Sequence, residues 1–195
     1  MAERDQGDIL RVSQTVPVSF NVLVPDATAV TARRYPASTD SPLHATLILA
    51  HGAGAPQASP FMTRFASGLA DRGLEIVTFD FVYIEQRRRA PDRAQKLEAC
   101  YRAVIDATRT EMPTAQPRLL VGGKSMGGRI ASQVVAKDAH DLGVGGLVLL
   151  GYPLHPPGRP EKRRDAHLPD IDVPILFVQG SRDTFGTESE LRPVV

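Results

Sequence analysis

The sequence predicts an α/β fold: a mostly parallel sheet with helices on both faces and an antiparallel hairpin at its N-terminal end. Three observations carry this. From residue 45 onward, short apolar runs alternate with segments of helical period. Those runs are apolar on both faces, as parallel strands covered from both sides must be. The first forty residues instead carry two alternating, β-branched stretches around a turn-prone Pro25-Asp26.

The elements follow in order. Val12 to Val24 and Ala29 to Tyr35 read as the hairpin at a sheet edge, and Ala45 to Ala50 as a buried strand. A helix opens with Ser59 as N-cap and Pro60 at its first position; Phe61, Phe65 and Leu69 form its apolar stripe and Gly73 ends it. Leu74 to Tyr83 is the next strand. Asp92 to about Met112 is a helix with the stripe Leu97, Tyr101, Val104, Ile105 and Thr108. Arg118 to Gly122 is a strand, Met126 to Asp138 a helix, and Val144 to Leu150 and Val173 to Gln179 are strands. No repeat or linker divides the chain, so residues 1–195 form one domain.

Composition narrows the function. The 195 residues are 42% hydrophobic and 23% charged, ordinary values for a folded domain. A net charge of +1 creates no field for nucleic acid or an anionic membrane. The single cysteine, Cys100, excludes an intrachain disulfide and a cysteine metal cage. The polar start and the shortness of every apolar run leave no signal peptide or membrane span, so a soluble, cytoplasmic protein is expected. No two histidines have metal-ligand spacing on one helix face, and no cofactor or metal is expected.

In parallel sheets ligands sit at the carboxyl ends of the strands, which directs attention to the loops after Ala50, Gly122, Leu150 and Gln179. Gly123-Lys124-Ser125-Met126-Gly127 is a G-x-S-x-G between a predicted strand and a predicted helix. A serine on so tight a turn is held in strained geometry with its hydroxyl raised, and the residues two before and two after it must lack bulk. The Met126 N–H then points at any oxyanion formed on the carbon that Ser125 attacks. The rival readings are a glycine-rich turn with a capping serine, and a P-loop ending in Gly-Lys-Ser. A P-loop would need its first glycine at Arg118, inside the strand.

His51-Gly52-Ala53-Gly54 follows the strand Ala45 to Ala50, where serine hydrolases of α/β type draw a second oxyanion donor. The backbone N–H of Ala53 is the expected donor, with Gly52 as the alternative, and His51 is expected to be structural. Asp183, in Gly180-Ser181-Arg182-Asp183, stands just past a late strand, as a triad acid does; the rival is a turn aspartate capping the segment near Thr184. The triad order places the histidine after the acid, yet none of the twelve residues after Asp183 is histidine. The last strand and the catalytic base are therefore expected to be missing from this chain. His155, in the loop after the strand Val144 to Leu150, is the candidate substitute; His44, His140 and His167 are expected in solvent. The basic runs Arg87-Arg88-Arg89 and Lys162-Arg163-Arg164 read as solvated surface diluted by acidic neighbours.

These segments also carry a resemblance. His51 to Gly54, Gly122 to Ser132, Gly151 to Gly158 and Phe177 to Asp183 are similar to a branch of small α/β-hydrolases related to dienelactone hydrolases. That branch includes the testis-expressed and NSL-complex-subunit-like proteins. The resemblance runs from about Leu47 to Thr187 and implies an α/β-hydrolase fold and esterase or acyl-hydrolase activity on a small-molecule substrate. It places nucleophile and acid at Ser125 and Asp183, and the family's histidine segment has no counterpart here. A serine hydrolase is thus expected, with a non-catalytic binding or assembly module as the alternative.

Overall fold

The computed structural model describes residues 16–26, 28–38, 42–112 and 118–194. Seven strands form one sheet in the order β1-β2-β4-β3-β5-β6-β7. They are β1 (Val18–Leu23), β2 (Ala29–Tyr35), β3 (Thr46–Ala50), β4 (Glu75–Phe79), β5 (Leu119–Lys124), β6 (Val144–Leu150) and β7 (Ile175–Val178). β1–β2 and β2–β4 pair antiparallel, and the remaining pairs are parallel. The part of the expected first strand before Val16 lies outside the described residues.

Both faces of the central strands are buried because helices cover both. Leu47 and Leu49 of β3 pack with Tyr35, Ile76, Met62, Ala66 and Ala70 against helix α1 (Pro60–Ala70). The alternate residues Ile48 and Ala50 join the larger core under α3 (Ala94–Glu111) and α4 (Met126–Asp138). On α3 the expected stripe Leu97, Tyr101, Val104, Ile105 and Thr108 is buried. α4 and β6 run over the residues expected.

β5 runs two residues past its expected end, to Lys124, and β7 is shorter than expected; two other elements depart further. α1 is rotated by one residue: Met62, Ala66 and Ala70 are its buried positions, Phe65 and Leu69 of the expected stripe pack half-buried beside them, and Phe61 faces out, stacked on Phe65 with their ring centroids 5.6 Å apart. The alanines let the helix approach the sheet more closely than a phenylalanine stripe would allow. Ser59 sits at the N-cap but makes no side-chain cap bond; its carbonyl accepts from the Thr63 N–H at 3.0 Å. The strand expected over Leu74 to Tyr83 ends at Phe79, and Val82–Glu85 forms a short helix, α2. The Asp80 N–H still reaches Thr31 O of β2 at 3.2 Å while its carboxylate accepts the Gln57 N–H at 2.7 Å; the Phe81 N–H then donates to the His51 ring instead of to a strand, and the ladder stops.

Candidate active site

β5 runs straight into α4 through Ser125, whose backbone sits at φ 50°, ψ −115°. A non-glycine residue at positive φ is strained, and it persists only where its surroundings enforce it. Here the enforcement is backbone packing. A Cβ on Gly123 would stand 2.6–2.7 Å from backbone atoms of Gly127, Ala50 and Gly128, and one on Gly127 would stand 2.5 Å from the carbonyl oxygens of Ala50 and His51. Strand end and helix start are therefore in direct backbone contact, and the serine is squeezed outward. Its N–H donates to Leu150 O at 2.9 Å, tying the elbow to the end of β6. Because β5 continues through Lys124, no phosphate-cradling loop precedes Ser125.

The loop after β3 lies against this elbow. A Cβ built on Gly52 would be 3.8 Å from the Ser125 Cβ. His51 is fully buried: its Nε2 accepts the Phe81 N–H at 3.1 Å and its Nδ1 meets Gly52 O at 2.7 Å. The first bond requires an unprotonated Nε2, so Nδ1–H is the donor to Gly52. Burial lowers the His51 pKa, the Gly52 carbonyl and Asp80 opposing it, and the ring is neutral. Asp80 Oδ1, 3.6 Å from Nε2, is beyond hydrogen-bond reach. The Tyr83 hydroxyl donates to Ala53 O at 2.9 Å, and burial pushes its pKa up to about 12. His51 and Tyr83 thereby clamp the loop from below. Neither the Ala53 nor the Met126 N–H has an acceptor among the described residues.

Asp183 stands on the same edge. Gly151, at φ 63°, would place a Cβ 3.5 Å from Asp183 Oδ2, and Gly151 follows the residue that accepts the Ser125 N–H. Gln179 Nε2 donates to Asp183 Oδ2 at 3.1 Å and to Gly186 O at 2.7 Å, while its Oε1 accepts from Tyr152 N–H. Asp183 Oδ1 accepts the Phe185 N–H at 2.9 Å, so the side chain also organises its own turn.

His155 points elsewhere: its Nδ1 meets Pro156 O at 2.9 Å and its Nε2 meets Glu190 Oε1 at 3.1 Å. His167, expected in solvent, is half-buried with Nε2 2.7 Å from Ser132 Oγ. His140 pairs with Asp172 near the surface. None of the five histidines bonds to Ser125 or Asp183. Sequence reading missed Asp80, Gln57, Tyr83 and Gln179, which hold the loops in place across 4 to 30 residues of chain. The only local sign of them was a set of polar residues at strand ends.

A profile of the alpha/beta hydrolase domain matches residues 43–194. The chain belongs to the alpha/beta hydrolase family. Solved structures agree on the fold. A lidless α/β serine hydrolase of Xanthomonas campestris is 20% identical, with a TM-score of 0.67 over 92% of this chain and 78% of that one. A serine hydrolase homologue of Coxiella burnetii is 18% identical, with a TM-score of 0.71 over 91% and 80%. An esterase of Pyrococcus furiosus is 16% identical, with a TM-score of 0.71 over 98% and 80%. Among the described residues no helix is long and apolar enough to cross a membrane.

Proposed function

We propose that this alpha/beta hydrolase cleaves esters or related acyl compounds through an acyl-enzyme at Ser125. The observation that carries the reading is the strained serine at φ 50°, held on a strand-to-helix turn by glycine backbone contacts with the β3 loop against it. Ser125 Oγ attacks the acyl carbonyl, and the developing oxyanion is met by the N–H of Met126 and that of Ala53 or Gly52. Collapse expels the alcohol, which takes up a proton; water then cleaves the acyl-serine, releasing the carboxylic acid and restoring the hydroxyl. Asp183 is the carboxylate that orients and charge-stabilises a histidine base. Within this chain His155 is the candidate base, and to serve it must leave Glu190.

The four motif segments support placement in the dienelactone-hydrolase-related branch with testis-expressed and NSL-complex-subunit-like proteins. Cys100, buried and with its thiol pKa pushed up to about 12, fits a reducing compartment such as the cytoplasm.

A second reading, a hydrolase-fold domain that binds without turnover, draws on one observation: the hydrogen bonds of His51, His140, His155 and His167 go to groups other than Ser125 and Asp183. Initial rates on short-chain p-nitrophenyl esters, measured with protein isolated from its source cells, separate the two. The hydrolase reading predicts that Ser125→Ala lowers kcat/KM by about a thousandfold or more. Equal rates for wild type and Ser125→Ala contradict it.

A further inference from the structure

Arg129, one turn into α4, and Arg164, in the loop that follows β6, make no ion pair with a carboxylate among the described residues. The loop is closed on itself by two hydrogen bonds and tied to α4 by a third. The Tyr152 hydroxyl donates to Arg164 O at 2.6 Å, Arg164 N–H donates to Leu154 O at 2.8 Å, and His167 meets Ser132 of α4. Ser132 Oγ donates to Arg129 O at 2.8 Å, so His167 Nε2–H is the donor in that pair. Burial and the neighbouring Arg129 lower the His167 pKa. The positive charge here thus comes from the Arg129 and Arg164 guanidiniums.

The surrounding cations have acids. Arg102 pairs with Asp138 and Glu98, Lys137 with Glu98, and Arg163 with Asp165. Arg129 and Arg164, both half-buried, have none among the described residues. Arg129 Nε is buried with no acceptor; Gln133 Oε1, one turn along the same face, is likewise buried and unbonded. Burial first, then repulsion from Arg164, depresses the Arg129 pKa, with Tyr152 and Glu98 opposing more weakly. The first turn of α4 contains no acidic residue, and its helix dipole adds to the positive potential. An unpaired, desolvated cation beside a second cation is unfavourable unless an anion compensates it. Planar guanidinium forks match carboxylate and phosphate oxygens in pairs.

We propose that Arg129 and Arg164 form a binding site for an oxyanion, the carboxylate or phosphate group of a ligand, held between α4 and the loop after β6. Helical side chains lean toward the N-terminus of their helix, so Arg129 leans toward the Ser125 end of α4. The site does not depend on Ser125 being a nucleophile.

Thermal unfolding in rising phosphate, acetate and chloride at matched ionic strength and pH tests the proposal. The expected result is a Tm that rises and saturates with phosphate or acetate but not with chloride, equally in wild type and Ser125→Ala. Saturation separates binding from the general stabilisation that phosphate gives by exclusion from protein surfaces. Calorimetric affinity for the effective anion should weaken about tenfold or more in Arg129→Gln and in Arg164→Gln, and hold in Arg163→Gln. Arg164→Gln, in a loop, carries the test if Arg129→Gln does not fold. A stronger response to phosphate assigns a phosphorylated ligand, and a stronger response to acetate a carboxylate-bearing one. Equal shifts in all three salts, undiminished binding in Arg164→Gln, or an equal loss in Arg163→Gln overturns the proposal.

Discussion

Strands β3 and β7 deliver loops to the same edge of one sheet, yet they are held in different ways. β3 has parallel neighbours on both sides, all five of its residues are buried, and its loop is locked by His51, Tyr83 and the backbone of Gly127. β7 has one neighbour among the described strands, and every second residue faces outward, with Leu176 57% and Val178 51% exposed. Its loop is organised chiefly by the side chain of Gln179. Ser125 is thus positioned by backbone packing, which tolerates almost no change. The carboxylate is positioned by one amide and its own turn, which leaves it room to adjust to a partner.

The contrast is sharpest in glycine substitutions. Gly123→Ala drives a Cβ into three backbone atoms, none of which can rotate away. It should cost at least about 3 kcal/mol, roughly 6–12 °C in Tm, or abolish soluble protein. Gly180, after β7, has nothing within 4 Å of the corresponding position, and Gly180→Ala should stay within about 0.5 kcal/mol of wild type. Matched denaturant melts of the two variants compare the regions directly.

A smaller effect is expected where a side chain bridges the central strands. The Tyr101 hydroxyl reaches Ile48 O at 2.9 Å and Gly122 O at 2.7 Å, and accepts the Gly122 N–H at 3.0 Å. Tyr101→Phe removes these buried hydrogen bonds and should cost about 1–3 kcal/mol in denaturant melts.

The smallest is a pH effect. His51 keeps a folded pKa below its ordinary 6.5, so below that pH the unfolded chain takes up a proton that the folded chain refuses. Stability from this residue is complete above 6.5 and declines as pH falls below it, at no more than about 1.4 kcal/mol per pH unit. His167 shifts in the same direction and adds to the slope. Stability measured across this range should flatten in His51→Gln, even though that variant starts lower.

Legibility in the sequence followed the same divide. Ser125, α4 and β6 were readable because glycines and small residues punctuate them locally, and backbone contacts show why Gly122, Gly123, Gly127 and Gly128 are required. The rotation of α1 was not, because apolar bulk at Phe61 and Phe65 outweighs Ala66 and Ala70 in any hydrophobic count. Closeness to the sheet, set by tertiary packing, decides which face turns inward. The end of β4 at Phe79 was hidden for a related reason: Phe81 to Tyr83 reads as strand, but its polar contacts to His51 and Ala53 lie 30 residues away. His167 looked solvated among charges until the loop after β6 folded onto Ser132.

The central claim is that the strained backbone at Ser125 presents a nucleophile. Intact mass and peptide mapping after exposure to a fluorophosphonate, with protein isolated from its source cells, test it most directly. The account predicts a single adduct on the peptide bearing Ser125, absent in Ser125→Ala. A folded protein that stays unmodified, or an adduct on another residue, contradicts it.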